Sequence, residues 1–236
     1  MHPLSIIPVQ GVPEVRADDP LAALIADAAA AQATPLEDHD CLVVTQKIVS
    51  KAEGRLVRLD PHDRAARRAL VEGESVRILR RRGDLIISET RHGFVCANAG
   101  VDLSNVDDGW AALLPVDADR SARRLRDALR ATRGVDVGVV VSDTFGRPWR
   151  QGLTDVAIGV AGVAAIVDLR GTEDARGREL QVTEVAVADE IAAAAELVMG
   201  KSAGVPVAIV RGLDATWFRE SSARELVRAP ADDLFR

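Results

Sequence analysis

The sequence predicts an α+β fold, with mixed and antiparallel sheets flanked by helices. Three observations carry this expectation. Apolar β-branched runs and charged amphipathic stretches alternate irregularly, without the strict strand–helix rhythm of a doubly wound sheet. Leu85 to Ser88 and Phe94 to Ala97 are adjacent strands joined around Arg91-His92-Gly93, a hairpin and therefore antiparallel. Hydrophobic residues reach 47% while aromatics stay at 3% with no tyrosine, so the core must be built from Val, Ile, Leu and Ala.

Taken in order, Leu4 to Val9 reads as a short strand closed by a Gly11-Val12-Pro13 turn. Asp19-Pro20 opens an Ala- and Leu-rich helix to about Gln32. Asp40 to Thr45 is a buried strand, followed directly by the basic segment Lys47-Ile48-Val49-Ser50-Lys51. Asp60-Pro61 starts a charged helix to about Arg82, with Gly73 as a break within it. Beyond the hairpin, Pro115 to Asp119 lead into a charged helix whose late arginines suit the helix dipole. Val135 to Val141 and Ile158 to Val167 are strands, Asp189 to Met199 is an alanine-rich helix, and Val205 to Val210 is the last strand. No linker or repeat interrupts residues 1–236, so a single domain is expected.

Several function classes are disfavoured at this level. A formal charge of -6 argues against a nucleic-acid binder, whose affinity needs net basic surface. Arg77, Arg80, Arg81 and Arg82, and later Arg120, Arg123, Arg124 and Arg126, read as solvated faces of helices. Cys41 and Cys96 form no CxxC pair and fit reduced thiols, so a zinc site has no support. No leader is visible at Met1-His2-Pro3-Leu4 and no apolar run reaches membrane-spanning length, so a cytoplasmic protein without membrane partners is expected. The four histidines sit in no ligand spacing.

The chemistry concentrates where apolar runs end in polar residues. Val139-Val140-Val141 continues as Ser142-Asp143-Thr144-Phe145-Gly146-Arg147-Pro148-Trp149-Arg150. Asp143 and Thr144 offer hard oxygens to a divalent cation, while Arg147 and Arg150 supply fixed positive charge for phosphate or carboxylate. A polar turn after a buried strand is the plain alternative. Asn98 to Asn105 form a second such cluster around Asp102, for which an Asx turn is the alternative. Asp102 and Asp143, converging from different strands, could hold a cation as in magnesium–phosphate sites. The lysines of the 45–51 segment stand where they could contact phosphates, or else protect an edge strand. Glu184, flanked by apolar residues, either faces inward as a ligand or lies on the wet face of an alternating strand. There is no P-loop and no dinucleotide fingerprint, so any nucleotide is held another way.

Five stretches together resemble one family, the coenzyme F420-0:L-glutamate ligases, including the amino-terminal half of the actinobacterial fused ligases. They are Val12-Pro13-Glu14-Val15, Val43 to Lys51, Ala99 to Asn105, Ser142 to Arg150 and Val182 to Glu190, in family order along nearly the whole chain. The resemblance implies a GTP-dependent ligase that adds L-glutamate to the phospholactyl carboxylate of a deazaflavin coenzyme precursor through an acyl phosphate, and then further γ-linked glutamates. It implies an unusual α+β fold forming an intertwined homodimer, and two divalent ions, Mg2+ or Mn2+, with K+ as an additional ion. Metal ligands carried over are Asp102, Asp143, Thr144 and Glu184. Nucleotide contacts carried over are Val12, Pro13, Glu14, Val15, Gln46, Lys51 and Asn105, and Asp143, Lys51 and Arg147 take catalytic roles. The reductase-like half of the fused relatives has no counterpart here, which suggests a stand-alone ligase or an isolated ligase domain. A metal-dependent phosphohydrolase or phosphotransferase, and a non-catalytic nucleotide-binding partner, remain alternatives.

Overall fold

The computed structural model describes residues 3–234. The chain begins with β1 (Ser5–Pro8), α1 (Leu21–Ala31), β2 (Cys41–Thr45) and α2 (Gln46–Ala52). A smaller lobe follows: β3 (Leu56–Arg58), α3 (Arg64–Gly73), β4 (Ser75–Arg82), β5 (Leu85–Thr90), β6 (Val95–Ala97) and β7 (Trp110–Ala112). The chain returns through α4 (Ala118–Arg133), β8 (Gly138–Gly146) and β9 (Leu153–Ala161). It continues with β10 (Val167–Asp168), β11 (Glu184–Val185), α5 (Val187–Met199) and β12 (Val207–Arg211).

The main sheet has the order β1-β12-β2-β8-β9, in which β2 and β8 run parallel and the other neighbours antiparallel. Alternating side chains explain why it is covered on both faces. Leu42, Val44, Val139, Val141 and Ile209 pack towards α1 and α4, while Cys41, Val43, Val140, Ala208 and Val210 pack towards α5. Each fully buried side chain of this kind contributes roughly 1.5–3 kcal/mol. The smaller lobe has its own core of Leu59, Val71, Ile86, Val101, Ala111 and Leu113. The α+β expectation, with mixed and antiparallel sheets and flanking helices, is borne out. Cys41 and Cys96 are buried free thiols, and no helix among the described residues is long and apolar enough to cross a membrane.

Two elements differ from the sequence reading. The basic segment after β2 is not an edge strand but the helix α2. The Thr45 amide donates to the carbonyl of Pro206 as a ladder bond, and the chain then turns into a helix. Gln46 and Ser50, one helical turn apart, both donate to the carbonyl of Leu113 (3.0 and 2.6 Å), tying α2 to the smaller lobe. The charged helix expected from Asp60 starts later, with Asp63 accepting from the Ala66 amide at 2.9 Å, and stops at Gly73. Ser75–Arg82 is a strand, so Arg77, Arg80, Arg81 and Arg82 lie on β4 rather than on a helix. Arg77 pairs with Glu89 and Arg81 with Glu72 at 3.0 and 2.8 Å. The arginine cluster at 120–126 does lie on a helix, α4.

Two strands are also longer at one end than the sequence indicates. β9 begins at Leu153 rather than at Ile158, and β8 runs on to Gly146. The pairing of β8 with β2 ends at Ser142, opposite Thr45, whereas its pairing with β9 continues through Asp143↔Val156 and Thr144↔Asp155. Residues 143–146 therefore belong to a ribbon that projects past the sheet, not to a turn. A register shift beside Ser142 bulges β9, and the freed Ala157 amide donates to Asp189 at 2.8 Å. Asp189 thus serves the sheet as well as its own helix. Asp119 does the same further along β9, accepting from the amides of Val160 and Ala223, each at 2.8 Å. At Gly159 the strand approaches so closely that any Cβ would overlap the carbonyl of Ala118.

Candidate active site

The polar clusters converge because of strand direction. Parallel β2 and β8 finish side by side, and ligands favour the carboxyl ends of parallel strands. β1 ends at this edge and β12 begins there, since Pro8 pairs with Ala208 and Val207 with Val44. Residues 9–15, the start of α2, the 143–155 ribbon and the 200–206 loop are thereby gathered at one end of the sheet. The smaller lobe adds residues 98–105. There Asn98, Ala99 and Gly100 all take positive φ (51, 52 and 71°) before Asp102 bridges to Ala112. Left-handed backbone at Ala99 is strained by roughly 1–3 kcal/mol, the kind of cost found at functional loops.

Three aspartates occupy this end. Lys47 reaches Asp102 at 2.7 Å and the Ser104 hydroxyl at 2.9 Å, and Asp102 accepts from the Ser104 amide at 2.7 Å. Burial works to raise its pKa, but the bonds from Lys47 and Ser104 hold it below the usual carboxylate range. Asp155, 2% exposed, accepts from Ser142 at 3.1 Å, Thr144 at 2.6 Å and Lys201 at 2.9 Å. Asp143 is different. Its carboxylate takes a hydrogen bond from the Thr144 amide and from no side chain among the described residues. Burial, and then the charges of Asp102 and Asp155, push its pKa up to about 7. The same carboxylate, after burial, helps raise the Cys96 thiol to about 12, which makes that cysteine inert.

Asp102 and Asp143 are thus brought into electrostatic contact. They do not form a closed cage, for among the described residues no three His, Cys, Asp or Glu side chains are grouped to hold a metal ion. Lysines explain the open arrangement: Lys47 draws Asp102 and Lys201 draws Asp155. The donor set suits a hard cation, since carboxylates and a threonine hydroxyl are the oxygen ligands of Mg2+ or Mn2+.

The remaining sequence-derived residues fall in distinct places. Lys51 is buried and ion-paired with the exposed Glu14 of the 12–15 turn. In that turn Val15 is buried, Val12 partly buried and Pro13 exposed. Gln46 is 2% exposed, and its amide nitrogen donates to Ser50 and to the Leu113 carbonyl, which anchors α2 to the smaller lobe. Asn105, exposed and with φ of 51°, donates to the carbonyl of Lys201 at 3.4 Å. Arg147 donates to the carbonyl of Gln151 at 2.6 Å on the outward ribbon. Glu184 lies on the β10–β11 ribbon, exposed, with Arg170 as its ion partner at 3.3 Å, and no contact joins it to Asp102 or Asp143. Asp155 and Lys201 went unnoticed in the sequence. The signal for Asp155 was an acid opening the strand that pairs with the Asp143 segment.

The chain has relatives. The profile of the F420-0:Gamma-glutamyl ligase family matches residues 11–212. The coenzyme F420:L-glutamate ligase of Methanothermobacter thermautotrophicus is 47% identical, covering 99% of this chain and 99% of the relative. That of Methanopyrus kandleri is 46% identical over 99% of this chain and 98% of the relative. That of Methanocaldococcus jannaschii is 41% identical over 86% of each. The chain belongs to the F420-0:gamma-glutamyl ligase family, enzymes that form a carbon–nitrogen bond.

Proposed function

We propose that this protein uses GTP and a divalent cation to join L-glutamate to the phospholactyl carboxylate of F420-0, and then extends the product with γ-linked glutamates. The observation that carries the reading is Asp143, a carboxylate beside Asp102 with no cationic side chain bonded to it among the described residues, at the end of the main sheet. Asp102 and Asp143 would hold Mg2+ or Mn2+, with the Thr144 hydroxyl alongside. Glu184 stays outside this set, because it would first have to leave Arg170.

The chemistry follows from the substrates. A carboxylate is a poor acyl donor, since its leaving group would be oxide. A carboxylate oxygen of the precursor therefore attacks the γ-phosphorus of GTP, the bond to the bridging oxygen breaks, and GDP departs. The glutamate amine then attacks the acyl carbon, the bond to phosphate breaks, and the amine proton passes to solvent. The cation, when bound, neutralises phosphate charge during the transfer. Lys51 would leave Glu14 for the phosphates, and the Val12–Val15 turn and Asn105 would line the nucleotide. Gln46 supports them by fixing α2. Arg147 would clamp a substrate carboxylate or phosphate.

The test is incubation with GTP, Mn2+, F420-0 and L-glutamate. Mass gain of a glutamyl unit with matching GDP release is the expected result. GTP turnover that ignores glutamate and precursor would instead make the site a phosphohydrolase.

A further inference from the structure

We propose that Trp149, at the tip of the ribbon that carries Asp143, is the stacking surface for the deazaflavin ring of the precursor, with Arg147 and Arg150 beside it facing the precursor's phosphodiester. The proposal rests on the ligase reading just given and deepens it by assigning the place of the precursor.

The case begins with the turn. Arg147, Pro148, Trp149 and Arg150 close on themselves, the Arg150 amide donating to the Arg147 carbonyl at 3.3 Å. Proline at the second position and a positive φ at the third are the pattern of a type II turn, whose third position favours glycine or asparagine. Trp149 fills it instead, with φ of 59°. A bulky residue in left-handed backbone is an outlier, and no core burial offsets the strain here, since Trp149 is 81% exposed. The support is stiff, because Pro148 fixes its own φ and Arg147 donates to the Gln151 carbonyl at 2.6 Å. A large flat apolar ring is therefore held out to solvent on a rigid turn, as a stacking surface must be.

The direction of phosphoryl transfer says what reaches it. Attacking and leaving oxygens lie roughly in line. Lys51 lies on α2, which follows β2, and the 12–15 turn follows β1. Both stand on the β2 flank of β8, whereas the ribbon stands on its β9 flank. With GDP leaving towards Lys51, the precursor carboxylate comes from the opposite side, and the rest of the precursor extends along the ribbon.

Length and charge agree with this path. Asp143 to Gly146 carry the strand about 10 Å outward, and Trp149 stands in the turn beyond. A lactyl group, a phosphodiester and a ribityl chain separate the reacting carboxylate from the ring, an arm of comparable reach. Arg147 and Arg150 are exposed, and no acidic side chain among the described residues pairs with either, so their charge is available to the phosphodiester.

The experiment compares the unaltered protein with Trp149→Gly and Trp149→Phe in steady-state kinetics with F420-0, GTP, Mn2+ and L-glutamate. Trp149→Gly supplies the residue the turn favours, so its thermal melt should hold or rise. Its KM for F420-0 should rise about tenfold while the KM for GTP stays, and Trp149→Phe should show a smaller rise. Binding without turnover gives a second readout: F420-0 alone should quench tryptophan fluorescence, and Trp149→Phe should lose much of that quench. Inhibition by phospholactate, which has no ring, should be the same in the unaltered protein and in Trp149→Gly.

An unchanged KM for F420-0 in Trp149→Gly overturns the proposal, as does a lowered melt. A matching rise in the KM for GTP would give the indole to the guanine base, and weakened self-association in sedimentation with KM unchanged would give it to a second copy of the chain; either overturns the proposal and leaves the ligase reading standing. An unaltered protein that neither binds nor glutamylates F420-0 would overturn that reading, and this proposal with it.

Discussion

The two ends of the main sheet use their charges in opposite ways. At the end away from the candidate site, Asp40 is fully buried and held by Arg211 through two bonds, at 2.7 and 2.8 Å. Arg211 also engages Glu37 and the carbonyl of Pro35. Beside it, Arg126 bonds Asp136, Glu220 and the carbonyl of Val137, lining a cavity of about 260 Å³. Arginine forks close every such contact, and the result is rigid. At the other end, lysines replace arginines, three aspartates crowd together, and no cationic side chain among the described residues bonds Asp143. That cavity lies at the satisfied end and the unmet charge at the other. A hollow lined by paired charges has less to offer a nucleotide than an edge whose carboxylate wants a cation.

The contrast can be broken from either side. The largest effect should come from Asp143→Asn, which keeps shape and removes the charge. Glutamyl-adduct formation measured by mass spectrometry should fall roughly a thousandfold, with the thermal melt unimpaired. Next is Asp40→Asn at the satisfied end. It strands a partly buried guanidinium and should cost about 3 kcal/mol of stability in urea unfolding, while the turnover of folded protein stays near that of the parent.

A pH profile separates the ends more gently. The folded-state pKa of Asp143 is raised to about 7, so the folded protein keeps a proton that the unfolded chain loses near pH 4. Unfolding free energy of the metal-free protein should therefore fall as pH climbs from about 4 to about 7, by roughly 4 kcal/mol from this group, and level off above that. Asp143→Asn should remove that contribution, and a slope unchanged by the substitution would contradict it. The smallest expected effect is Lys51→Ala, which takes one charge from the phosphates. The KM for GTP should rise about tenfold with little change in kcat.

How much of this was legible in the sequence depended on what each signal needed. The ends of β2 and β8 were visible because apolar runs stopping at polar residues need no tertiary information, and Asp143 and Lys51 came with them, as Asp102 did with the end of β6. The helix α2 was not, since seven residues containing Ile48 and Val49 have no periodicity that excludes a strand. β4 was missed because Gly73 ends one helix without announcing that a strand follows. Asp155 was lost with the first five residues of β9, and Lys201 looked like an ordinary lysine past a helix end. Its role exists only because β8 and β9 carry Thr144 and Asp155 to it. Gln46, a nucleotide contact by resemblance, is buried with its amide nitrogen bonded to Ser50 and to the Leu113 carbonyl, which only the fold reveals.

The most direct test of the central claim is a crystal structure with GDP and Mn2+, the ion located by its anomalous scattering. The account predicts the ion between the carboxylates of Asp102 and Asp143, with the phosphates towards Lys51. An ion beside Asp40 and Asp136 at the opposite end, or none at either, would contradict it.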